Sequence, residues 1–169
     1  ITNIANAILL NPEITKNIVV VWLGGNAHNW PDTKEFNMQQ DKDAANVVLN
    51  SGAAFVQFPC MGVVSQFTTT VPEMELYLSG YNDISTYLLQ IFKGYSSDHF
   101  AWSKVLWDMT SIAYMINSDW TPSQLVHAPT VTPYNTYSFD NNRHLIRMVY
   151  HIDRDAVFRD FFKKLQTYK

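Results

Sequence analysis

A chain of 169 residues is long enough to bury one sizeable core, and 47% hydrophobic against 16% charged residues excludes a disordered chain. A net charge of −3, with no run of Lys or Arg, leaves no electrostatic footprint for nucleic acid or for an anionic membrane. The single cysteine, Cys60, rules out an internal disulfide framework and a cysteine-rich zinc site. No apolar run approaches the ~20 residues of a membrane-spanning helix. No basic segment leads an apolar one, so no signal peptide is visible and a reducing, cytoplasmic setting is expected. Aromatic residues make up 14% of the chain, and several fall outside periodic core patterns, which points to a site or an interface.

In chain order, ITNIANAILL places Ile4, Ala5, Ile8 and Leu9 on one helical face, with Thr2 as the candidate N-cap. A helix with no strand before it reads as a cut through a βα unit. The whole chain, residues 1–169, is therefore expected to be the C-terminal part of one longer domain. IVVVWL follows, a near-continuous apolar run that fits a strand buried on both faces. In DKDAANVVLNSG, Asp41 is the expected N-cap, Ala44, Ala45, Val48 and Leu49 the buried stripe, and Gly52 the stop. AAFVQFPCM is the next strand, ended by Pro59. Strand, helix and strand at this spacing predict an α/β fold with a mostly parallel central sheet flanked by helices and right-handed crossovers.

Residues 71–98 predict two helices broken near Gly80, the second with Tyr87, Leu88, Ile91 and Phe92 on its face. LWDMTSIAYMINSD predicts a helix starting at Asp108 with Ile112, Ala113 and Ile116 inward. SQLVHAPTVTPYNTYSFD and HLIRMVYHI alternate enough for a late hairpin or meander. RDAVFRDFFKKLQTYK closes the chain as a helix capped by Asp153.

Two places could carry chemistry. The loop WLGGNAHNWPDTKEFNMQQD leaves the first strand at its carboxyl end, where open α/β sheets bind ligands. Its Asn26, His28, Asn29, Trp30, Asp32, Glu35 and Asn37 suit a polar small molecule, and equally suit a surface loop whose Asn and Asp make turns. Gly24-Gly25 lacks the spacing of a phosphate loop. In VLWDMT, Asp108 is either a helix N-cap or an oxygen ligand for a hard cation. The five histidines form no HxxxH or HExxH pair, and Ser65 and Ser111 lack a GxSxG elbow, so zinc chemistry and serine hydrolysis are unsupported.

Taken in order, ITNIANAI, WLGGN…EFNMQQDKDAANVVLNSG and LWDMTSIAYMI resemble the C-terminal half of the inosine-uridine preferring nucleoside hydrolase family. The most specific piece is EFN followed by Asp41, Ala44-Ala45 and Ser51-Gly52. The resemblance covers residues 1 to about 117. It implies a nucleoside hydrolase-like α/β fold, incomplete at its N-terminal side, one Ca²⁺ per site, and hydrolysis of the N-glycosidic bond of ribonucleosides by a metal-bound water. By the same resemblance Glu35 takes the ribose 5′-hydroxyl and Asn37 the 2′/3′ side. Asn29, or Asn26 given the different loop length, reaches the 5′ end. Asp108 ligates Ca²⁺ and touches the 3′-hydroxyl. The implied partners are a ribonucleoside, the N-terminal half of the same fold and, optionally, further copies of the chain.

Two features depart from the family's pattern. Trp107 stands where many members have His; this resembles the purine-preferring branch, in which an indole stacks on the base, although core packing also accounts for a tryptophan there. The family's DxDxxxDD metal and base motif does not occur in these residues, nor does the segment before TNIA that supplies another ligand. The general base is therefore expected outside them, and Asp108 alone falls short of the about 6–8 oxygens that Ca²⁺ takes. The chain by itself is expected to be inactive. A non-catalytic nucleoside- or sugar-binding module, a degenerate fragment, or a structural α/β domain with an incidental loop are the alternatives.

Overall fold

The computed structural model describes residues 1–168. In chain order the elements are α1 (Thr2–Leu10), β1 (Val19–Leu23), α2 (Phe36–Gln40), α3 (Lys42–Asn50), β2 (Ala54–Phe58), β3 (Thr68–Thr69), α4 (Val71–Leu78), α5 (Asp83–Gly94), β4 (Lys104–Val105), α6 (Met109–Ile116), β5 (Ser123–His127), β6 (Thr130–Val131), β7 (Tyr137–Ser138), β8 (Leu145–Val149) and α7 (Arg154–Thr167). They form two compact units, Ile1–Ser65 with Trp107–Ile152, and Gln66–Leu106 with the segment from Asp153 onward. Among the described residues no helix is long and apolar enough to cross a membrane.

The first unit is built on a four-stranded sheet in the order β1-β2-β8-β5. β1 runs parallel to β2 from Val19↔Ala54 to Leu23↔Phe58, and β2 runs parallel to β8 through Val56↔Arg147. β5 returns antiparallel on β8, and the short antiparallel pair β6–β7 lies between them in sequence. The sheet is thus mostly parallel, as the strand–helix–strand spacing requires. One face is covered by α1 and α3: Ala5 and Ile8 meet Ala44, Ala45, Val48 and Leu49 over Val20, Phe55 and Ile146. α3 starts where Asp41 Oδ1 accepts from the Ala44 N–H at 2.9 Å, and Gly52 follows it with φ +76°.

Three local expectations change. Thr2 lies inside α1 behind Ile1, and its hydroxyl donates to Asp41 Oδ2 at 2.6 Å. A charged acceptor on α3 outcompetes the helix's own N–H groups for that hydroxyl. Val19 is 64% exposed and Val21 and Trp22 are half-buried, so β1 is not buried on both faces: only Val20 and Leu23 are fully buried. In α6 Ala113 and Thr110 are buried while Ile112 and Ile116 are exposed, because the small residues are the ones turned inward.

In the second unit α4 and α5 form a helical pair broken at Gly80, whose φ is +79°. α7 packs aromatic rings on both sides: Phe158 stacks on Phe67, just before β3, at 4.6 Å, and Phe162 on Tyr77 of α4 at 4.7 Å. Arg154 pairs with Glu73 and donates to the Thr68 carbonyl at 2.8 Å. On α5 only Phe92 of the expected face is buried outright, and Tyr87 and Ile91 are exposed.

One half-buried amide ties the β6–β7 hairpin to α3. Asn46 Nδ2 donates to the Val131 carbonyl at 2.9 Å, and its Oδ1 accepts from the Val131 N–H at 2.8 Å. Asn46→Ala leaves both backbone groups without a partner, and the urea unfolding midpoint should fall by the equivalent of about 2 kcal/mol.

Candidate active site

The site grows from the carboxyl end of β1. The strand stops because Gly25 turns with φ +68°, a backbone state open to glycine, and its carbonyl accepts from the Cys60 N–H at 2.7 Å. The loop beyond is an ordered structure. Asn26 is fully buried, its Nδ2 donating to the Asp32 carbonyl at 3.0 Å and its Oδ1 accepting from the Met61 N–H at 3.1 Å. Both ends of that amide serve the loop itself. Asn29 and Trp30, by contrast, are exposed at its tip.

Glu35 ends the loop and starts α2. One of its oxygens accepts from the Met38 N–H, and the other accepts from the Cys60 thiol at 2.9 Å. Asn37 donates from Nδ2 to the Leu23 carbonyl at 2.9 Å, which holds the amide at the end of β1 and leaves Oδ1 as an acceptor. Asp108 stands at the start of α6, exposed, and its carboxylate makes no cap bond to the helix. Its charge still reaches the thiol on β2's far side: Cys60 is pushed above its ordinary range by burial first, then by Glu35 and by Asp108. Two carboxylates separated by 73 positions in sequence (108 − 35) therefore act on one buried atom. Trp107, next to Asp108 in sequence, is half-buried.

Beneath the loop lies a polar cluster that no motif announces. Gln57 is 1% exposed, on a strand otherwise apolar. Its Nε2 donates to the Gly24 carbonyl at 3.0 Å and to the Tyr137 hydroxyl at 2.9 Å. That fixes the amide's orientation, so Oε1 accepts from His28 Nε2 at 3.1 Å and sets the imidazole tautomer. The His28 ring rests between Tyr137 and Phe139, with centroids 4.9 and 5.2 Å away. A lone glutamine inside AFVQF is the one sequence signal for this cluster; Tyr137 and Cys60 carry none.

The model of the inosine-uridine preferring nucleoside hydrolases matches residues 1–159. The chain belongs to this family. Its fold is similar to that of the inosine-uridine preferring nucleoside hydrolase from Bacillus anthracis, with a TM-score of 0.77 at 20% identity, covering 98% of this chain and 57% of that one. An inosine-guanosine nucleoside hydrolase gives 0.79 at 15%, covering 99% and 60%. The purine-preferring ribonucleoside hydrolase from Gardnerella vaginalis gives 0.75 at 18%, covering 98% and 57%. No curated sequence matches. The chain thus spans less than two thirds of the length of these solved nucleoside hydrolases.

Asp108 has an uncommitted, exposed carboxylate and suits one position in the shell of a hard cation. Among the described residues no three His, Cys, Asp or Glu side chains converge as a metal site. Asp108 thus suits one ligand of a hard cation among the described residues.

Burial lowers the pKa of His28 below 6.5, and the Gln57 hydrogen bond offsets this only in part. The folded protein then holds a neutral ring that the unfolded chain protonates more readily. The stability His28 contributes is present above pH 6.5 and is lost as pH falls toward its depressed folded value. Acidifying from about pH 7.5 to about pH 5.5 should lower the urea midpoint more for the wild type than for His28→Phe.

Proposed function

We propose that this chain carries the ribose-gripping side of a nucleoside N-ribohydrolase acting on ribonucleosides, with purine nucleosides preferred. The observation that carries the reading is that Asn37 is tied to the carboxyl end of β1 and Glu35 to Cys60, just beyond the carboxyl end of β2. In the overall reaction a water oxygen bonds to the anomeric carbon while the C–N bond breaks. The electron pair leaves with the base, which gains a proton. The barrier is dominated by positive charge on the sugar ring, so carboxylates held close to the ribose favour the transition state.

Each side chain has a definite share. Glu35 accepts the 5′-hydroxyl proton, and its carboxylate is already oriented by two donors. Asn37 offers Oδ1 to the 2′/3′ side, and Asn29 at the loop tip reaches the 5′ end. Trp107 stacks on the purine. Asp108 contributes one ligand to a Ca²⁺ ion, which when bound orients ribose hydroxyls and acidifies a water. The remaining cation ligands and the general base come from outside these residues, so the isolated chain is inactive, and a cytoplasmic setting belongs to the same reading.

In the complete protein, Glu35→Ala should lower kcat/KM for inosine ~10–100-fold, the cost of losing a charged acceptor, with Glu35→Gln intermediate. Unchanged kinetics would remove Glu35 from the grip. In the same assay series Trp107→Ala should hurt inosine and guanosine more than uridine, and equal losses would assign the indole to packing. Calorimetry on the isolated 169-residue chain should show no Ca²⁺ binding in the micromolar range; tight binding there would contradict the one-ligand reading.

A further inference from the structure

Arg147 is a half-buried cation whose bonding is unfinished. It stands mid-strand in β8, paired with Val56 of β2 on one side and Leu125 of β5 on the other, in the otherwise apolar run LIRMV. A guanidinium only donates, and taking one out of water is costly unless its N–H groups find partners. Among the described residues this side chain makes one hydrogen bond, from Nη1 to the Ser123 hydroxyl at 3.2 Å, and no ion pair. The other half-buried arginines are better engaged. Arg143 donates to the carbonyls of Ala128, Leu49 and Pro129. Arg154 pairs with Glu73 and Asp155 and donates to the Thr68 carbonyl. Arg147 keeps Nε and Nη2, which form one edge of its planar fork, without a partner among the described residues.

The same arginine borders an open cavity of about 440 Å³. The cavity lies where β5 begins beside the end of β8: Ser123 pairs with Val149, and the Tyr150 N–H donates to the Pro122 carbonyl at 3.1 Å. Tyr114 reaches it from α6, its ring held edge-on to Phe58 at 6.0 Å. Arg147 is the one cation of the lining and Asp119 the one carboxylate, and the two share the cavity without pairing. Tyr114, Tyr150 and Pro122 add apolar surface beside them. A few convergent polar groups against apolar walls are what a small-molecule site presents.

We propose that this cavity binds the carboxylate of a small organic acid, with Arg147 as its donor and Asp119 limiting the ligand to one negative charge. The free Nε–Nη2 edge matches the two oxygens of a planar carboxylate, which accepts both N–H bonds side by side. One cation balances one negative charge. A phosphate dianion would bring a second charge toward Asp119 with no second cation to offset it. The body of the acid packs on Tyr114, Tyr150 and Pro122. None of these residues belongs to the proposed ribose grip, so the inference stands or falls without the hydrolase reading.

The test titrates benzoate into the ¹⁵N-labelled complete protein at fixed ionic strength and follows the Arg147 Nε–H resonance. That resonance should shift saturably, with half-saturation in the millimolar range. Benzamide has the same shape without the charge and should bind at least ~10-fold more weakly. Inorganic phosphate should also bind more weakly than benzoate. A resonance that benzoate does not move, as when another part of the complete protein fills the cavity, overturns the proposal. So does benzamide or phosphate binding as well as benzoate. Arg147→Lys should weaken benzoate about 10-fold, because a point charge replaces the fork, and equal affinity would remove Arg147 from the site. Should that variant fail to fold, Asp119→Asn, at an exposed position, keeps the proposal open to refutation. It should tighten benzoate binding about 2–5-fold by removing a like charge, and an affinity unchanged or reduced would overturn the arrangement.

Discussion

The buried amide of Gln57 is the point from which the candidate site takes its shape. An uncharged polar group in a core strand costs roughly 1–3 kcal/mol unless its hydrogen bonds are met. Here all are met, and each partner lies on a different piece of chain: the end of β1, the loop at His28, and the hairpin at Tyr137. Because the amide can be satisfied in one orientation, its partners are held in one arrangement. The apolar core positions the strands; the amide positions what emerges from them.

That arrangement explains why the loop can be long without being loose. Asn26 closes it from inside, bonding Asp32 at its far end and Met61 beyond β2. The Thr33 N–H donates to the Asn135 carbonyl at 2.8 Å, which draws in the β6–β7 hairpin. The hairpin is in turn fixed to α3 by Asn46. Hydrogen bonds from side-chain amides and the backbone thus carry order from the sheet toward the loop tip. Asn29 and Trp30 are the exposed groups at the tip.

The elements that follow from local chemistry were legible in the residues: α3 from its Asp41 cap and its Ala-Ala-Val-Leu stripe, β2 from its apolar run, and the helix break at Gly80 from the glycine. What the residues hid depends on distance. Thr2 reads as a cap until Asp41, brought in by the packing of α1 on α3, offers a charged acceptor. Ile112 and Ile116 read as core until the sheet selects the small side of α6. Glu35, Asn37 and Asp108 stand out in the sequence only through the family's motif, and the bonds that hold Glu35 and Asn37 at the ends of β2 and β1 come from the fold. Tyr137 and Cys60 belong to no motif, since their partners lie 80 and 25 positions away in sequence.

Glu35 shows how structure and proposed chemistry bear on one another. A carboxylate aimed at a sugar must be held still, or binding has to order it first, which weakens affinity. The N-terminus of α2 holds one oxygen and the Cys60 thiol the other, both through groups that donate and neither through a positive charge. An arginine or lysine partner would have neutralised the carboxylate and reduced its worth opposite a cationic transition state. Donors without charge orient it and leave its charge in place. The elevated thiol pKa fits this division of labour, because a thiol that stays protonated beside the Glu35 carboxylate keeps donating rather than adding a second negative charge.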